Sequence, residues 1–304
     1  MGITVAAFYK FHPLPHYRDV QAPLAAALKA MGVKGSVLVA DEGMNGTIAA
    51  LTDTIGEALR TIETLTGIGT LEPKLSVAKS MPFKRMKVRL KKEIVTIGDV
   101  YAKPHELVGE YVDAAQWNAL ISNPDVVVVD TRNAYEVKVG TFRGAIDPGT
   151  ESFGEFPDYV RNSLADKKDR KIAMFCTGGI RCEKATSFMK HEGFQNIYHL
   201  KGGILKYLED VPQAESLWQG ACFVFDERVA VGHGLTISDY TICHGCLMPV
   251  SAEERRSVKY EDGVCCPACA DNLTDVQKSS SRERQKQFVL ASKRGMLHLG
   301  PVEG

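Results

Sequence analysis

The segment Ile172-Ala-Met-Phe-Cys-Thr-Gly-Gly-Ile-Arg181 constrains the fold of this chain more than any other. Residues 172–175 carry no polar side chain, so as a strand they must be covered on both faces. The run stops at Cys176, crosses a short loop containing Gly178 and Gly179, and gives way to a helical pattern over 180–192. A second run of this kind, the four valines of 126–129, ends at Asp130. Strands buried on both faces belong to parallel sheets, whose connections are helices. The pattern predicts such helices over 113–121, opened by Asp113-Ala-Ala-Gln116 as a capping box, and over 155–165. A further strand is predicted over 197–200. The region 111–215 is therefore a doubly wound α/β domain, with Cys176 at the carboxyl end of a strand, where such sheets hold ligands.

That position has a chemical consequence. The thiol sits at a helix N-terminus inside a turn of backbone N–H groups, with Arg181 closing the loop. Such a pocket favours negative charge and lowers a cysteine pKa. Cys176 is thus the candidate catalytic nucleophile, and Thr177, Gly178, Gly179, Ile180 and Arg181 its anion-cradling loop. The competing reading is a small buried hydrophobe, as free cysteines often are. Asp130 and Arg132 read as supporting residues that orient the loop. Cys182, on the first helical turn, reads as packing beneath the loop, with a resolving thiol as the alternative.

The first 98 residues follow another pattern. Strands are predicted over 4–9, 35–40, 46–50 and 86–95, and helices over 20–31 and 53–65. This alternation predicts a ferredoxin-like α+β domain. Glu42-Gly-Met-Asn-Gly-Thr47 reads as a hairpin or bulge turn. Residues 79–92 hold seven basic side chains: Lys79, Lys84, Arg85, Lys87, Arg89, Lys91 and Lys92. In a strand, Met86, Val88 and Leu90 would face inward and Lys87, Arg89 and Lys91 outward. The chain has 37 lysines and arginines against 37 aspartates and glutamates, so a local surplus stands out. Lys84, Arg85, Lys87, Arg89 and Lys91 are therefore candidate phosphate-backbone contacts, against the plainer reading of a solvated sheet face. The tail residues Arg282, Arg284, Lys286, Lys293 and Arg294 add cationic side chains, offset by Glu283.

Residues 216–304 form a small Cys-rich C-terminal region with a polar tail over 279–286. Cys243-His-Gly-Cys246 and Cys266-Pro-Ala-Cys269 are two C-x-x-C knuckles separated by 19 residues, a spacing that suits four-sulfur structural zinc. Cys265 is an alternative to Cys266, and reduced cysteines without metal are the competing reading. No apolar run is long enough to span a bilayer, and the first residues lack a signal peptide's basic region and cleavage site. A cytoplasmic location is expected. There, eight cysteines read as catalytic or metal-binding rather than disulfide-forming. No flavin, dinucleotide or haem motif is present, nor a two-His-one-carboxylate iron pattern.

The loop Cys176-x4-Arg181, with Asp130-Thr-Arg132 and Gly202-Gly203, resembles the rhodanese domain, whose loop cysteine carries a persulfide. Five longer stretches extend the resemblance. They are Glu42-Gly-Met-Asn-Gly-Thr47, Pro82-Phe-Lys-Arg-Met-Lys-Val-Arg-Leu-Lys-Lys-Glu-Ile-Val95, Phe175-Cys-Thr-Gly-Gly-Ile-Arg-Cys-Glu-Lys-Ala185, Leu200-Lys-Gly-Gly-Ile-Leu-Lys-Tyr207 and Cys222-Phe-Val-Phe-Asp-Glu-Arg-Val-Ala230. With them the chain is identified as a member of the oxygen-dependent tRNA uridine-34 hydroxylase family. Met44 and Ala221 depart from residues common there, and the last thirty residues carry little resemblance. The resemblance implies 5-hydroxylation of the wobble uridine in the anticodon region of tRNA, with molecular oxygen as co-substrate and Cys176 as the catalytic cysteine. Two alternatives of other classes stay open. One is a sulfurtransferase carrying a Cys176 persulfide. The other is a tRNA-binding scaffold without catalysis.

Overall fold

The computed structural model describes residues 2–294 other than 79 and 227. They divide into two compact units, one of residues up to 134 with 143–217, the other of residues 135–142 with 218 onward.

The first unit begins with β1 (Ile3–Phe11), α1 (Tyr17–Ala30), β2 (Lys34–Ala40), β3 (Gly43–Leu51), α2 (Thr52–Thr66) and β4 (Lys74–Ala78). With β5 (Met86–Leu90) they build a sheet of order β4-β1-β3-β2-β5. β1 runs antiparallel to β3 and β4, and β5 parallel to β2. This is the expected ferredoxin-like arrangement with one added edge strand. Thr4, Ala6 and Phe8 alternate inward along β1. Ala6 and Phe8 meet Leu24 and Leu28 of α1 and Ile55, Ala58 and Ile62 of α2 in one core.

Three expectations need correction here. Residues 43–46 are not a turn but the start of β3, with Gly43 paired to Phe11. At φ +144°, a Cβ on Gly43 would lie 2.0 Å from the Lys10 carbonyl oxygen. The glycine permits close backbone approach rather than chain reversal. The basic strand stops at Leu90 instead of 95, and Leu90 at this sheet edge is 38% exposed rather than buried. β4 was not expected; Leu75 and Val77 alternate with Lys74 and Ser76, but the run is only five residues long and none of them is buried.

The chain continues through β6 (Glu110–Val112), α3 (Ala114–Ile121), β7 (Val126–Asp130), α4 (Ala134–Val137), β8 (Gly140–Phe142), α5 (Phe156–Ser163), β9 (Lys171–Phe175), α6 (Ile180–His191), β10 (Asn196–Leu200) and α7 (Gly203–Asp210). Four parallel strands form a sheet of order β6-β10-β9-β7. Met174 of β9 packs with Phe156, Val160 and Phe188 from α5 and α6. Its neighbour Phe175 points to the opposite face and meets Trp117 of α3 edge-on at 6.2 Å. Helices therefore cover both faces, as the polar-free strands require; each buried side chain of this size contributes about 2 kcal/mol. The predicted capping box is not formed. Asp113 occupies the N-cap without a side-chain cap bond, because its carboxylate faces Lys201 at 3.6 Å.

In the second unit β8 pairs with β11 (Trp218–Gly220), β12 (Cys222–Phe223) with β13 (Ala230–Val231), and β14 (Tyr240–Ile242) with β15 (Pro249–Ser251). The stretch expected as a polar tail lies within α8 (Asp275–Lys293). Among the described residues no helix is long and apolar enough to cross a membrane.

Candidate active site at the cysteine loop

β9 delivers Cys176 to the point where α6 begins. The Gly179 N–H donates to the Cys176 sulfur at 3.1 Å. The strand end is fixed from the side: Ile204 N–H donates to the Cys176 carbonyl at 2.9 Å and Leu205 N–H to that of Thr177 at 3.1 Å. This clamp requires Gly203, where a Cβ would lie 2.5 Å from the Cys176 carbonyl oxygen. Arg181 folds back onto the loop, its Nη2 at 3.4 Å from Thr177 Oγ1. Burial disfavours charge on the sulfur. A hydrogen bond from the Cys182 thiol, the Arg181 charge and the N–H groups of Cys182 and Gly179 outweigh it, drawing the Cys176 thiol down to about 5. Cys182 is itself fully buried, and burial together with the neighbouring Cys176 pushes its thiol well up. It stays protonated and serves as a donor, with Thr131 Oγ1 at 3.5 Å on its other side.

Asp130 and Arg132 are paired with each other. Both are 0% exposed and form a bidentate pair, with Arg132 Nε 2.9 Å from Oδ1 and Nη2 2.6 Å from Oδ2. Thr131 between them ties β7 to β9, its N–H donating to the Phe175 carbonyl at 3.0 Å. The pair shapes the floor under the loop.

The ferredoxin-like domain supplies the other wall. Lys74 Nζ donates to the carbonyls of Gly178 at 2.9 Å and Gly202 at 2.5 Å. The Tyr9 hydroxyl donates to Glu183 Oε1 at 2.8 Å and lies over Gly179, 2.6 Å from where a Cβ there would stand. Tyr111 of β6 holds the same carboxyl, and its ring packs edge-on against buried His199 at 4.2 Å. Burial alone draws the His199 pKa down to about 4, so it is neutral. Tyr9, Phe11, Lys74, Tyr111, Gly178 and Glu183 are among the residues lining a cleft of about 980 Å³. Cys176 lies just under its floor, 1% exposed. Behind the loop Lys184, also 1% exposed, bridges Glu42 at 2.6 Å and Glu93 at 2.5 Å and donates to the Val95 carbonyl at 3.1 Å.

A separate cluster lies in the second unit. The sulfurs of Cys243, Cys246, Cys266 and Cys269 all fall within 4.8 Å of one another. Cys243–Cys269 and Cys246–Cys266 are each 3.7 Å apart and Cys266–Cys269 3.9 Å. A tetrahedron with metal–sulfur bonds of about 2.3 Å has edges of about 3.8 Å, so the set can hold a metal ion of zinc's geometry. Cys265 is not part of it; its thiol turns to the Lys259 carbonyl at 3.5 Å.

A family profile described as UPF0176 acylphosphatase like domain matches residues 3–94, and one described as Rhodanese-like domain matches residues 113–210. A protein from Teredinibacter turnerae named tRNA uridine(34) hydroxylase is 52% identical over 97% of this chain and 92% of its own length. Proteins of the same name from Rhizobium leguminosarum and Agrobacterium fabrum are 54% and 52% identical over 97% of this chain, and over 96% and 94% of their own lengths. The chain belongs to the tRNA uridine(34) hydroxylase family. In this family member the central domain is a rhodanese domain, as the resemblance implied, and the first is acylphosphatase-like.

The hydroxylase-family chain displays part of its basic stripe as expected. Lys84, Arg85, Arg89, Lys91 and Lys92 are exposed and Lys87 is half-buried on edge strand β5; Lys79 lies outside the described residues. In the second unit Arg282 is engaged by Glu261 through two contacts of 2.6 Å, and Lys286 lies 3.8 Å from Glu283, so these tail cations are partly neutralised. Sequence reasoning missed Tyr9, Lys74, Tyr111, Glu183 and the Lys184–Glu42–Glu93 group. Tyr9 and Lys74 have no local signal, since only the fold brings β1 and β4 to the loop. Glu42, Glu93, Glu183 and Lys184 lie inside the stretches that carried the family resemblance.

Proposed function

We propose that this chain hydroxylates C5 of uridine 34 in tRNA, with Cys176 as the nucleophile. The observation that carries the reading is a thiol drawn down to about 5 beneath a cleft walled by both domains. The thiolate bonds to C6 of the uracil, and the C5–C6 π electrons move through C4 onto O4. C5 then has enolate character and reacts with molecular oxygen. One oxygen atom enters at C5 and the other leaves as water, with two electrons and two protons from a reductant. Loss of the C5 proton and expulsion of the thiolate restore the C5–C6 double bond. The loop N–H groups and Arg181 stabilise the anionic peroxide oxygen formed on the way. Because the sulfur is 1% exposed, entry of the base displaces the Tyr9 phenol from above Gly179.

The basic residues Lys84, Arg85, Lys87, Arg89 and Lys91 hold phosphates flanking the target nucleotide in the anticodon region. β5 is three strand steps from β1, about 14 Å, within the span of an anticodon loop. Cys243, Cys246, Cys266 and Cys269 hold structural zinc, whose four sulfur ligands leave no position for substrate. The test is nucleoside mass spectrometry of tRNA from a deletion strain complemented with wild type or Cys176→Ala. Loss of 5-hydroxyuridine with the alanine variant supports the reading. Loss of thiolated nucleosides instead assigns sulfur transfer, and full restoration by the alanine variant assigns binding alone.

A further inference from the structure

Glu183 stands on the first turn of α6, four residues beyond Gly179. Its backbone N–H donates to the Gly179 carbonyl at 3.1 Å, so it is tied directly to the loop. Its side chain lines the cleft together with Tyr9, Tyr111 and Gly178. The other two half-buried carboxylates nearby, Glu42 and Glu93, meet the Lys184 ammonium. Glu183 is held differently, by the phenols of Tyr9 at 2.8 Å and Tyr111. Two domains thus converge on one carboxyl beside the reactive sulfur. A structural carboxylate in such a place is normally matched to a cation, whereas one set among phenols is suited to exchange a proton.

We propose that Glu183 is a catalytic residue of the uridine reaction, its carboxyl group giving a proton to O4 of the uracil as the Cys176 thiolate bonds to C6. The proposal rests on the thiolate-addition reading above. The step balances: sulfur donates an electron pair to C6, the C5–C6 π pair becomes the C4–C5 π bond, the C4–O4 π pair takes the proton to form O4–H, and Glu183 is left as carboxylate. The product of the step is a neutral enol adduct rather than an enolate. Tyr9 and Tyr111 are positioning residues, which hold the carboxylate after the proton has left.

The electrostatics agree. Burial raises the Glu183 pKa, and the Cys176 charge raises it further; hydrogen bonds from Tyr9 and Tyr111 lower it without reversing the shift. Tyr9 and Tyr111 are both raised, by burial first and then by Glu183, so they remain neutral donors. The charged groups facing this space are Cys176 from the loop and Lys10, Glu72, Lys74, Asp113, Lys201, Lys206, Asp210 and Glu215 along the cleft; Lys74 is engaged with two carbonyls. Neutral His199 packs behind Tyr111. An acid must hold its proton to act, so the rate falls as pH rises through the elevated Glu183 pKa.

The test uses full-length protein and tRNA carrying 5-fluorouridine at position 34, read as a denaturation-resistant protein–tRNA adduct over a pH series. Wild type forms the adduct, with a rate that declines toward alkaline pH. Glu183→Gln, which still accepts the Tyr9 hydrogen bond, slows it about 100-fold and flattens the decline, with tRNA affinity and melting temperature unchanged. Tyr9→Phe removes a donor to the carboxylate and moves the decline to higher pH. Wild-type rate and pH profile in Glu183→Gln overturn the proposal. A wild-type protein that forms no adduct overturns the thiolate-addition reading itself, which separates the two failures.

Discussion

Replacing Lys184 by methionine isolates what holds the two domains of the first unit around the cysteine loop. Lys184 is 1% exposed, and its ammonium contacts Glu42, Glu93 and the Val95 carbonyl at 2.5 to 3.1 Å. Methionine fills much of the same volume, so packing loss is small. What remains is two carboxylates, 16% and 19% exposed, facing each other without their cation. Breaking a buried pair this way costs about 3–5 kcal/mol at neutral pH. For a unit of this size that lowers the melting temperature by roughly 6–20 °C. The sign of the pH dependence follows from burial. Glu42 is already raised above its ordinary value with Lys184 present, because burial outweighs the ion pair and the Ile94 N–H. Without Lys184 the Glu42 carboxyl rises further in the folded state. A group raised on folding contributes stability below its unfolded pKa and loses it as pH rises through the folded one. The deficit is therefore largest at neutral pH and above and shrinks on acidification. Urea unfolding of wild type, Lys184→Met and the Lys184→Met/Glu42→Gln/Glu93→Gln triple variant measures it, the triple variant recovering most of the loss. A deficit below about 1 kcal/mol, the value of a surface pair, or one that grows on acidification, refutes the reasoning.

Three other outcomes follow from the same geometry. Thiolate absorbance of Cys176, taken as the difference from Cys176→Ser, titrates at about 5, and Arg181→Met moves the midpoint upward. Since this pKa is lowered on folding, its stabilisation is present in full above the unfolded value and disappears as pH falls through about 5, which acid unfolding of the two proteins reads out. Metal analysis finds one zinc ion per chain; Cys266→Ser loses it and Cys265→Ser keeps it, because only the former sulfur belongs to the four-sulfur set. Replacing Lys87 and Arg89 together by glutamine weakens tRNA binding and lowers the slope of log affinity against log salt by about 0.7–0.9 per charge that contacts phosphate.

The parts of this protein that one strand or loop determines were legible in its sequence. The polar-free runs at 126–129 and 172–175 announced a parallel sheet, and Cys176-x4-Arg181 announced its anion-cradling loop. Two C-x-x-C knuckles located the sulfur cluster, and geometry chose Cys266 over Cys265. Glycine was harder to read. Gly43 looked like a turn residue but serves a strand that presses against Lys10, a role that only pairing partners reveal. β4 escaped because its five residues are short for a pattern and its apolar Leu75 and Val77 are exposed at a sheet edge, yet it brings Lys74 to the cysteine loop. Tyr9, Tyr111 and Glu183 come together from residues 174 apart at most, and long-range convergence of that kind leaves no local pattern.

The most direct test places extract of a deletion strain expressing either wild type or Cys176→Ser under heavy-isotope oxygen gas, followed by mass spectrometry of nucleoside 34. Wild type yields 5-hydroxyuridine bearing one heavy oxygen atom, and the serine variant leaves uridine unchanged. Hydroxylated nucleoside from the serine variant, or product without the heavy isotope, contradicts the account.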